Sequence, residues 1–383
     1  MSGDPTIVWS EGEQTFRARW RSTAGLPPPA RVVIADDRMS ADVAFRLASE
    51  GTALLWRGDF QNARQLLLAM ARRIDTPSRR SRRKPADATA ASPLDVFNAH
   101  RLAQSQRART LGRLLLVLEA DDTCALRRAP DVAAAVQAAY AKAGEAVQSV
   151  LSLRELLGLI GAYEWRKKGV DIAELGARIH PHYGVFAPIR NEYIGLVANA
   201  PLPAITLAFD IGTGTGVLAA VLAQRGVARI VATDLDPRAL ACAQENLERL
   251  GLASRVELAA TDLYPPGRAP LVVCNPPWVP ARPSSPLEHA VYDPDSRMLR
   301  GFLDGLPAHL SPGGEGWLIL SDLAEHLGLR SRAALLAMIG GAGLKVLGRH
   351  DVRPRHPKVA DATDALHAAR AAEVTSLWRL GSV

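Results

Sequence analysis

The chain has 383 residues, 48% of them hydrophobic, with a mean hydropathy of +0.01 and a formal net charge of +7. At that length more than one core is expected, and no apolar stretch approaches the roughly 20 residues that a membrane-spanning helix needs. Three widely separated cysteines, Cys124, Cys242 and Cys274, lack any CxxC spacing, which argues against a disulfide framework or a zinc site.

The N-terminus shows no basic segment followed by an apolar run and a small-residue cleavage site, so a cytoplasmic location is expected. A pI near 9.6 fits a partner rich in phosphate, since clustered Lys and Arg bind it through counterion release. It equally fits an Arg- and Ala-rich chain with no such partner.

In chain order, residues 1–75 read as a small α/β unit. "RVVIADD" (31–37) is an apolar run closed by two aspartates, "TALLW" is strand-like, and helical stretches follow each. Residues 76–93 read as a flexible basic linker, with Arg79, Arg80, Arg82, Arg83 and Lys84 crowded among Ser, Pro and Ala; a solvated tether and an RNA-contacting arm both fit. Residues 94–177 read as a helical module of Ala, Leu and Arg at helical spacing, with "LGRLLLVLEA" (111–120) as a core-facing helix. From 178 to 383 apolar runs alternate with helices. That pattern predicts a Rossmann-like, doubly wound, mostly parallel α/β sheet with helices on both faces.

The unusual residues of this last region fall where strands end, the edge at which such sheets bind ligands. "FDIGTGTG" (209–216) places Gly212, Gly214 and Gly216 between a strand and a helix. Glycine permits positive φ and close approach of a ligand, so the turn suits a nucleoside-type cofactor, although its GxGxG spacing differs from the pyrophosphate-binding GxGxxG. About 20 residues later Asp234 closes the next strand, suited to accept from ribose hydroxyls. Asp236 precedes Pro237, the pattern of a helix N-cap with proline at the first helical position. Asp262 ends a third strand, where it either accepts from an adenine amino group or is an ordinary strand-end acid.

"VVCNPPWVP" (272–280) follows a fourth apolar run. If a planar NH2 donates to the Asn275 side-chain oxygen and to the Pro276 carbonyl, its nitrogen is oriented towards an electrophile. Pro277 stiffens the turn and Trp278 offers a flat face for stacking. Orientation of this kind accelerates a reaction without a strong base. The histidines at 180, 182, 350 and 356 have no metal-ligand spacing, and "RHDVRPRHPK" (349–358) reads as a basic loop before the last strand.

Taken in order and spacing, "DIGTGTG", the strand-ending Asp234, "TDL" (261–263) and "NPPW" resemble a class I S-adenosylmethionine-dependent methyltransferase. More narrowly they resemble the HemK/PrmC group, which methylates a glutamine side-chain nitrogen of release factors, and its small-domain relatives that methylate rRNA guanine or adenine amino groups. The resemblance implies that the last strand of the sheet is antiparallel. It implies a cofactor set of Asp210, Gly212, Gly214, Gly216, Asp234, Asp262 and Leu263, and a catalytic set of Asn275, Pro276, Pro277 and Trp278. "FAPIRNEYIGLV" (186–197) is similar to the family's PRPETE loop, making Arg190 and Glu192 substrate-positioning candidates, and "PLEHAVYDPDSRMLRGFL" (286–303) resembles the segment after the family's NPPY. Trp278 stands where the glutamine enzymes usually have Tyr, and the first 175 residues do not match that group's short helical N-terminal domain. The expected activity is N-methyl transfer without a metal, to a protein glutamine of a release factor or ribosomal protein first, with an rRNA base as the alternative. A non-catalytic binding module and a nicotinamide oxidoreductase are the further alternatives.

Overall fold

The structure, a computed structural model, describes residues 5–76, 91–140, 147–283, 288, 291–354 and 361–383. Contacts divide the chain into two units, Met1–Ala91 with Asn98–Glu164, and Ser92–Phe97 with Trp165–Val383. Most of the basic segment 76–93 lies outside the described residues.

The first unit is one α/β layer structure built on a six-stranded sheet in the order β1-β2-β6-β5-β4-β3. Its strands are β1 (Thr6–Glu11), β2 (Gln14–Trp20), β3 (Val32–Ala35), β4 (Ala53–Trp56), β5 (Leu114–Leu118) and β6 (Ser149–Ser152). Its helices are α1 (Ala41–Ser49), α2 (Phe60–Asp75), α3 (Pro93–Leu111), α4 (Ala133–Ala139) and α5 (Leu153–Lys168), the unit boundaries falling inside α3 and α5. The β1–β2 hairpin follows from period-2 alternation, with Ile7 and Trp9 buried and Val8 exposed, and Gly12 takes φ +61° at the turn.

Two sequence expectations are corrected here. Residues 94–177 are not a helical module, because they supply β5 and β6, and residues 1–75 are not a separate unit, because β1–β4 share their sheet with those two strands. "LLLVL" is a central strand buried on both faces, and a short continuous apolar run looks the same by periodicity in a buried strand and in a buried helix.

The second unit begins about 13 residues earlier than expected, at Trp165, and also takes in Ser92–Phe97 at the start of α3. There Phe97 packs with Val279, Leu327 and Leu366. A small antiparallel pair, β7 (Val170–Ile172) and β8 (Ala177–Ile179), leads into the main sheet. That sheet consists of β9 (Leu207–Ile211), β10 (Arg229–Asp234), β11 (Val256–Ala260), β12 (Ala269–Cys274), β13 (Leu310–Ser321), β14 (Leu344–Val352) and β15 (Thr375–Ser382). Its spatial order is β11-β10-β9-β12-β13-β15-β14, and only β15 runs against its neighbours. The segment 349–352, read as loop, is the end of β14.

Side-chain alternation explains why helices cover both faces. Ala208, Leu271, Val273, Trp317 and Ile319 point to one face and meet α6 (Glu192–Asn199) and α7 (Val217–Gln224). Phe209, Ile211, Val272, Cys274, Leu318 and Leu320 point to the other and meet α9 (Arg297–His309) and α11 (Arg332–Gly341). The remaining helices are α8 (Pro237–Arg249), α10 (Leu323–His326) and α12 (His367–Ala372). Among the described residues no helix is long and apolar enough to cross a membrane.

Candidate active site

The chain enters the sheet at β9, steps outward through β10 and β11, then returns to β12 on the other side of β9. The order reverses between β9 and β12, so the loops leaving their carboxyl ends diverge and open a crevice. A cavity of about 300 Å³ occupies it, walled by Gly212–Thr215 after β9, Asp234 and Asp236 after β10, Asn275–Val279 after β12, Gly184–Phe186, Arg190 and Tyr193.

The glycine turn is shaped by its φ values, +70° at Gly212, +56° at Gly214 and +79° at Gly216. A Cβ on Gly212 would meet Met298 Cε at 2.4 Å, whereas one on Gly214 would meet nothing within 4 Å. Gly214 N–H donates to Asp234 Oδ2 at 3.0 Å, which ties the β9 turn to the end of β10. Asp234 Oδ1 accepts from Asp236 N–H at 3.0 Å. Burial raises the Asp234 carboxyl, against the pull of those backbone donors. Asp236 caps α8 by accepting from Arg238 N–H, as its sequence pattern predicts.

Asp210 lies behind the turn rather than in the cavity wall. It is 1% exposed, accepts from Thr213 Oγ1 at 2.7 Å and Ala219 N–H at 3.2 Å, and so joins β9 to α7. Burial pushes its carboxyl up to about 6. Gly216 is likewise outside the wall: a Cβ there would meet Ala243 Cβ at 3.1 Å, so it allows α8 to approach. Asp262 accepts from Arg297 at 2.6 Å on the exposed side of α9, and Leu263 turns its side chain to Gly301; neither lines the cavity.

The NPPW turn does line it, with all four residues. Trp278 Nε1–H donates to Asn275 Oδ1 at 2.8 Å. The Tyr193 ring meets Trp278 edge-on at 6.5 Å, and the Arg190 guanidinium lies over the Trp278 ring at 5.3 Å. Arg190 is bound by Glu373 at 2.8 Å and Glu192 at 3.2 Å. Burial disfavours its charge, but the two carboxylates outweigh that and raise its pKa. The turn is fastened from behind, where Asp293 N–H donates to the Val279 carbonyl at 2.9 Å and the Asp293 carboxylate accepts from Met298 and Leu299 N–H at the start of α9. A larger hollow of about 970 Å³ between α6 and β14 shares Arg190 but contains neither the glycine turn nor the NPPW residues.

Tyr193, Met298, Asp293 and Glu373 were not singled out from sequence. Asp293 carried a signal, the Asp-Pro pair that precedes a 3₁₀ turn at Pro294–Ser296. Glu373 carried none, being 183 residues from Arg190. Among the described residues no group of His, Cys, Asp and Glu has the arrangement of a metal site. Cys274 is fully buried with its thiol pushed up by burial, which makes it a packing residue.

Within this doubly wound unit, residues 179–332 match the family model described as the methyltransferase small domain. The release factor glutamine methyltransferase of Cereibacter sphaeroides is 37% identical over 180 residues, 43% of this chain and 63% of that protein. That of Moorella thermoacetica is 41% identical over 124 residues, 31% of this chain and 44% of that protein. The tRNA1(Val) (adenine(37)-N6)-methyltransferase of Shewanella loihica is 28% identical over 176 residues, 43% of this chain and 70% of that protein. The chain thus spans 63% and 44% of the lengths of the two release factor enzymes.

Proposed function

We propose that the chain is an S-adenosylmethionine-dependent N-methyltransferase whose acceptor is a glutamine side chain of a protein, with a release factor as first candidate. The observation that carries the reading is the convergence of Gly212, Gly214, Asp234 and Asn275–Trp278 on one cavity at the order reversal of the sheet. The cavity suits a nucleoside-type group: the turn leaves open space where a Cβ at Gly214 would stand, and Asp234 is an acceptor for vicinal hydroxyls at its rim. The glycine turn and Asp234 line this cavity.

When bound, the cofactor supplies an electrophilic methyl carbon on a sulfonium. The chain's part is to orient the acceptor. Asn275 Oδ1 has two lone pairs, and the indole N–H takes one. The other, with the Pro276 carbonyl, accepts the two N–H groups of a primary amide and turns the nitrogen lone pair towards the methyl carbon. Held there, the cofactor would supply the methyl group and its sulfur would keep the electron pair of the S–C bond, while the amide nitrogen would give up one proton to water. Asn275 is a neutral acceptor, so no strong base is required at this step.

Two observations favour an amide over a base. Relatives 37% and 41% identical over 180 and 124 residues carry a glutamine methyltransferase name, and the Arg190 guanidinium covers one face of the Trp278 ring, which a stacked base would compete for. Base methylation is the second reading, favoured by the basic run Arg79–Lys84. The test incubates the purified chain with methyl-labelled cofactor and fractionated lysate from a deletion strain. Label in a protein, mapped to glutamine, supports the first reading; label in RNA replaces it with the second; no label together with no cofactor binding by calorimetry removes both.

A further inference from the structure

The orienting role of Asn275 requires its oxygen, and not its NH2, to take part in the acceptor site. A carboxamide is nearly symmetric in shape, so its hydrogen-bond partners decide which end lies where. Here the partner is the Trp278 indole N–H, 2.8 Å from Oδ1 and three residues along the same turn. An indole nitrogen is only a donor, so it selects the oxygen.

The ring that carries this donor is itself held in place. Arg190 lies over it at 5.3 Å and Tyr193 meets it edge-on. Arg190 is tethered to Glu373, a residue 1% exposed whose Oε1 also accepts from Ser321 Oγ at 2.6 Å. A pair of this kind resists displacement because moving the half-buried Arg190 would strand the buried Glu373 carboxylate.

We propose that Trp278 is a positioning residue: its indole N–H sets the orientation of the Asn275 carboxamide, and the Glu373–Arg190 pair sets the orientation of the indole. Phenylalanine or tyrosine at 278 retains an aromatic face but places no N–H at this point, so aromatic substitution separates positioning from stacking. The kinetic consequences rest on the methyltransferase reading, while the spectroscopic consequence does not.

The test uses the full chain, labelled with ¹⁵N, which holds seven tryptophans. The Trp278 indole resonance is assigned by its loss in W278F, or in W278Y should the first variant not fold. In N275A that proton is expected to move upfield and to exchange with solvent roughly tenfold faster, as loss of one hydrogen bond implies. An unmoved resonance with unchanged exchange overturns the proposal whatever the substrate is. With labelled cofactor and a glutamine-bearing acceptor, W278F is expected to lower kcat roughly tenfold. KM and cofactor affinity should stay within about twofold. In the N275A background the same substitution should cost nothing further, since it acts through Asn275. Additive losses overturn the proposal, because they mean Trp278 works as an independent stacking surface. Absence of any methyl transfer by the unaltered chain defeats the functional reading, and the resonance measurement still decides this one.

Discussion

The glycines of "GTGTG" have different physical jobs, and alanine at two of them should separate those jobs. Gly216 sits at φ +79°, and a Cβ there would lie 3.1 Å from Ala243 Cβ and 3.2 Å from its Cα. The left-handed conformation costs an alanine roughly 1–2 kcal/mol, and the contact, a few tenths of an ångström too close, adds roughly 1–3 kcal/mol of overpacking. Helix α8 cannot yield cheaply, because Asn246 pins it by donating to the Thr215 carbonyl at 3.1 Å and accepting from His180 N–H at 2.8 Å. Gly216→Ala should therefore destabilise by about 2–5 kcal/mol. Gly214 sits at φ +56° with nothing within 4 Å of a Cβ, so Gly214→Ala should cost only the conformational part, about 1–2 kcal/mol. Its methyl group, standing at the cavity wall, should weaken cofactor binding at least roughly tenfold. Hydrogen exchange of peptides covering β9 and α7 measures the first quantity within the C-terminal unit, free of the other unit's unfolding. Titration calorimetry with S-adenosylmethionine measures the second. Equal destabilisation by the two substitutions would refute the assignment of Gly216 to helix approach, and unaltered cofactor affinity in Gly214→Ala would refute the placing of the cofactor against the turn.

The remaining expectations concern the acceptor site and the two buried acids. Asn275→Ala should lower turnover by about 100- to 1000-fold, the scale of losing a group that acts in the transition state, while cofactor affinity by calorimetry stays within about twofold; full activity would contradict the role of the turn. Glu373→Ala leaves Arg190 with Glu192 alone and Ser321 Oγ without its acceptor; a loss of about 3 kcal/mol in chemical denaturation is expected, and a change under about 0.5 kcal/mol would mean that Arg190 finds another partner. Asp210, raised by burial to about 6 from 3.8, holds its proton more tightly folded than unfolded. Its contribution to stability is therefore fully present below about pH 4, falls as pH rises to about 6, and is constant above. Asp210→Asn cannot titrate, so the unfolding free energy of the unaltered chain relative to this variant should fall across that window by at most roughly 3 kcal/mol; a rise would reverse the sign of the argument.

What was legible in the sequence is what the backbone dictates locally. Gly212, Gly214 and Gly216 all take positive φ, and Asp236 with Pro237 caps and opens α8; these signals lie within a few residues of their effect. The near-continuous apolar runs of β9, β10, β12 and β13 likewise announce strands covered on both faces. "LLLVL" carries the same signal in the first unit but reads equally as a helix, because a helix precedes it and its length is ambiguous. The tether of Arg190 to Glu373 was not legible, since the partner comes from the far side of the sheet's last crossover, beside β15. Asp262 is ambiguous in sequence for a different reason. A strand-end acid looks alike wherever a strand ends, and this one serves an ion pair with Arg297.

Asp210 and Asp234 show how the fold gives one residue type two roles. Asp210 pairs with Ala232 across β9 and β10, so Asp234 stands two residues further along the sheet, on the same face. Two strand residues amount to roughly 7 Å. At the lower level a carboxylate is covered by α7 and accepts from Thr213 and Ala219, which locks the glycine turn to the helix. At the upper level the same group clears the helix, accepts from Gly214 and Asp236 N–H, and stands at the cavity wall with lone pairs to spare. Exchanging depth for rim would exchange the roles. Asp210→Asn should thus disturb stability first and binding only through the turn, whereas Asp234→Asn should weaken cofactor binding roughly tenfold or more with a smaller change in stability. Calorimetry and denaturation on the same pair of variants distinguish the two, and a loss of cofactor affinity greater in Asp210→Asn than in Asp234→Asn would show that depth along the strand is not what divides their work.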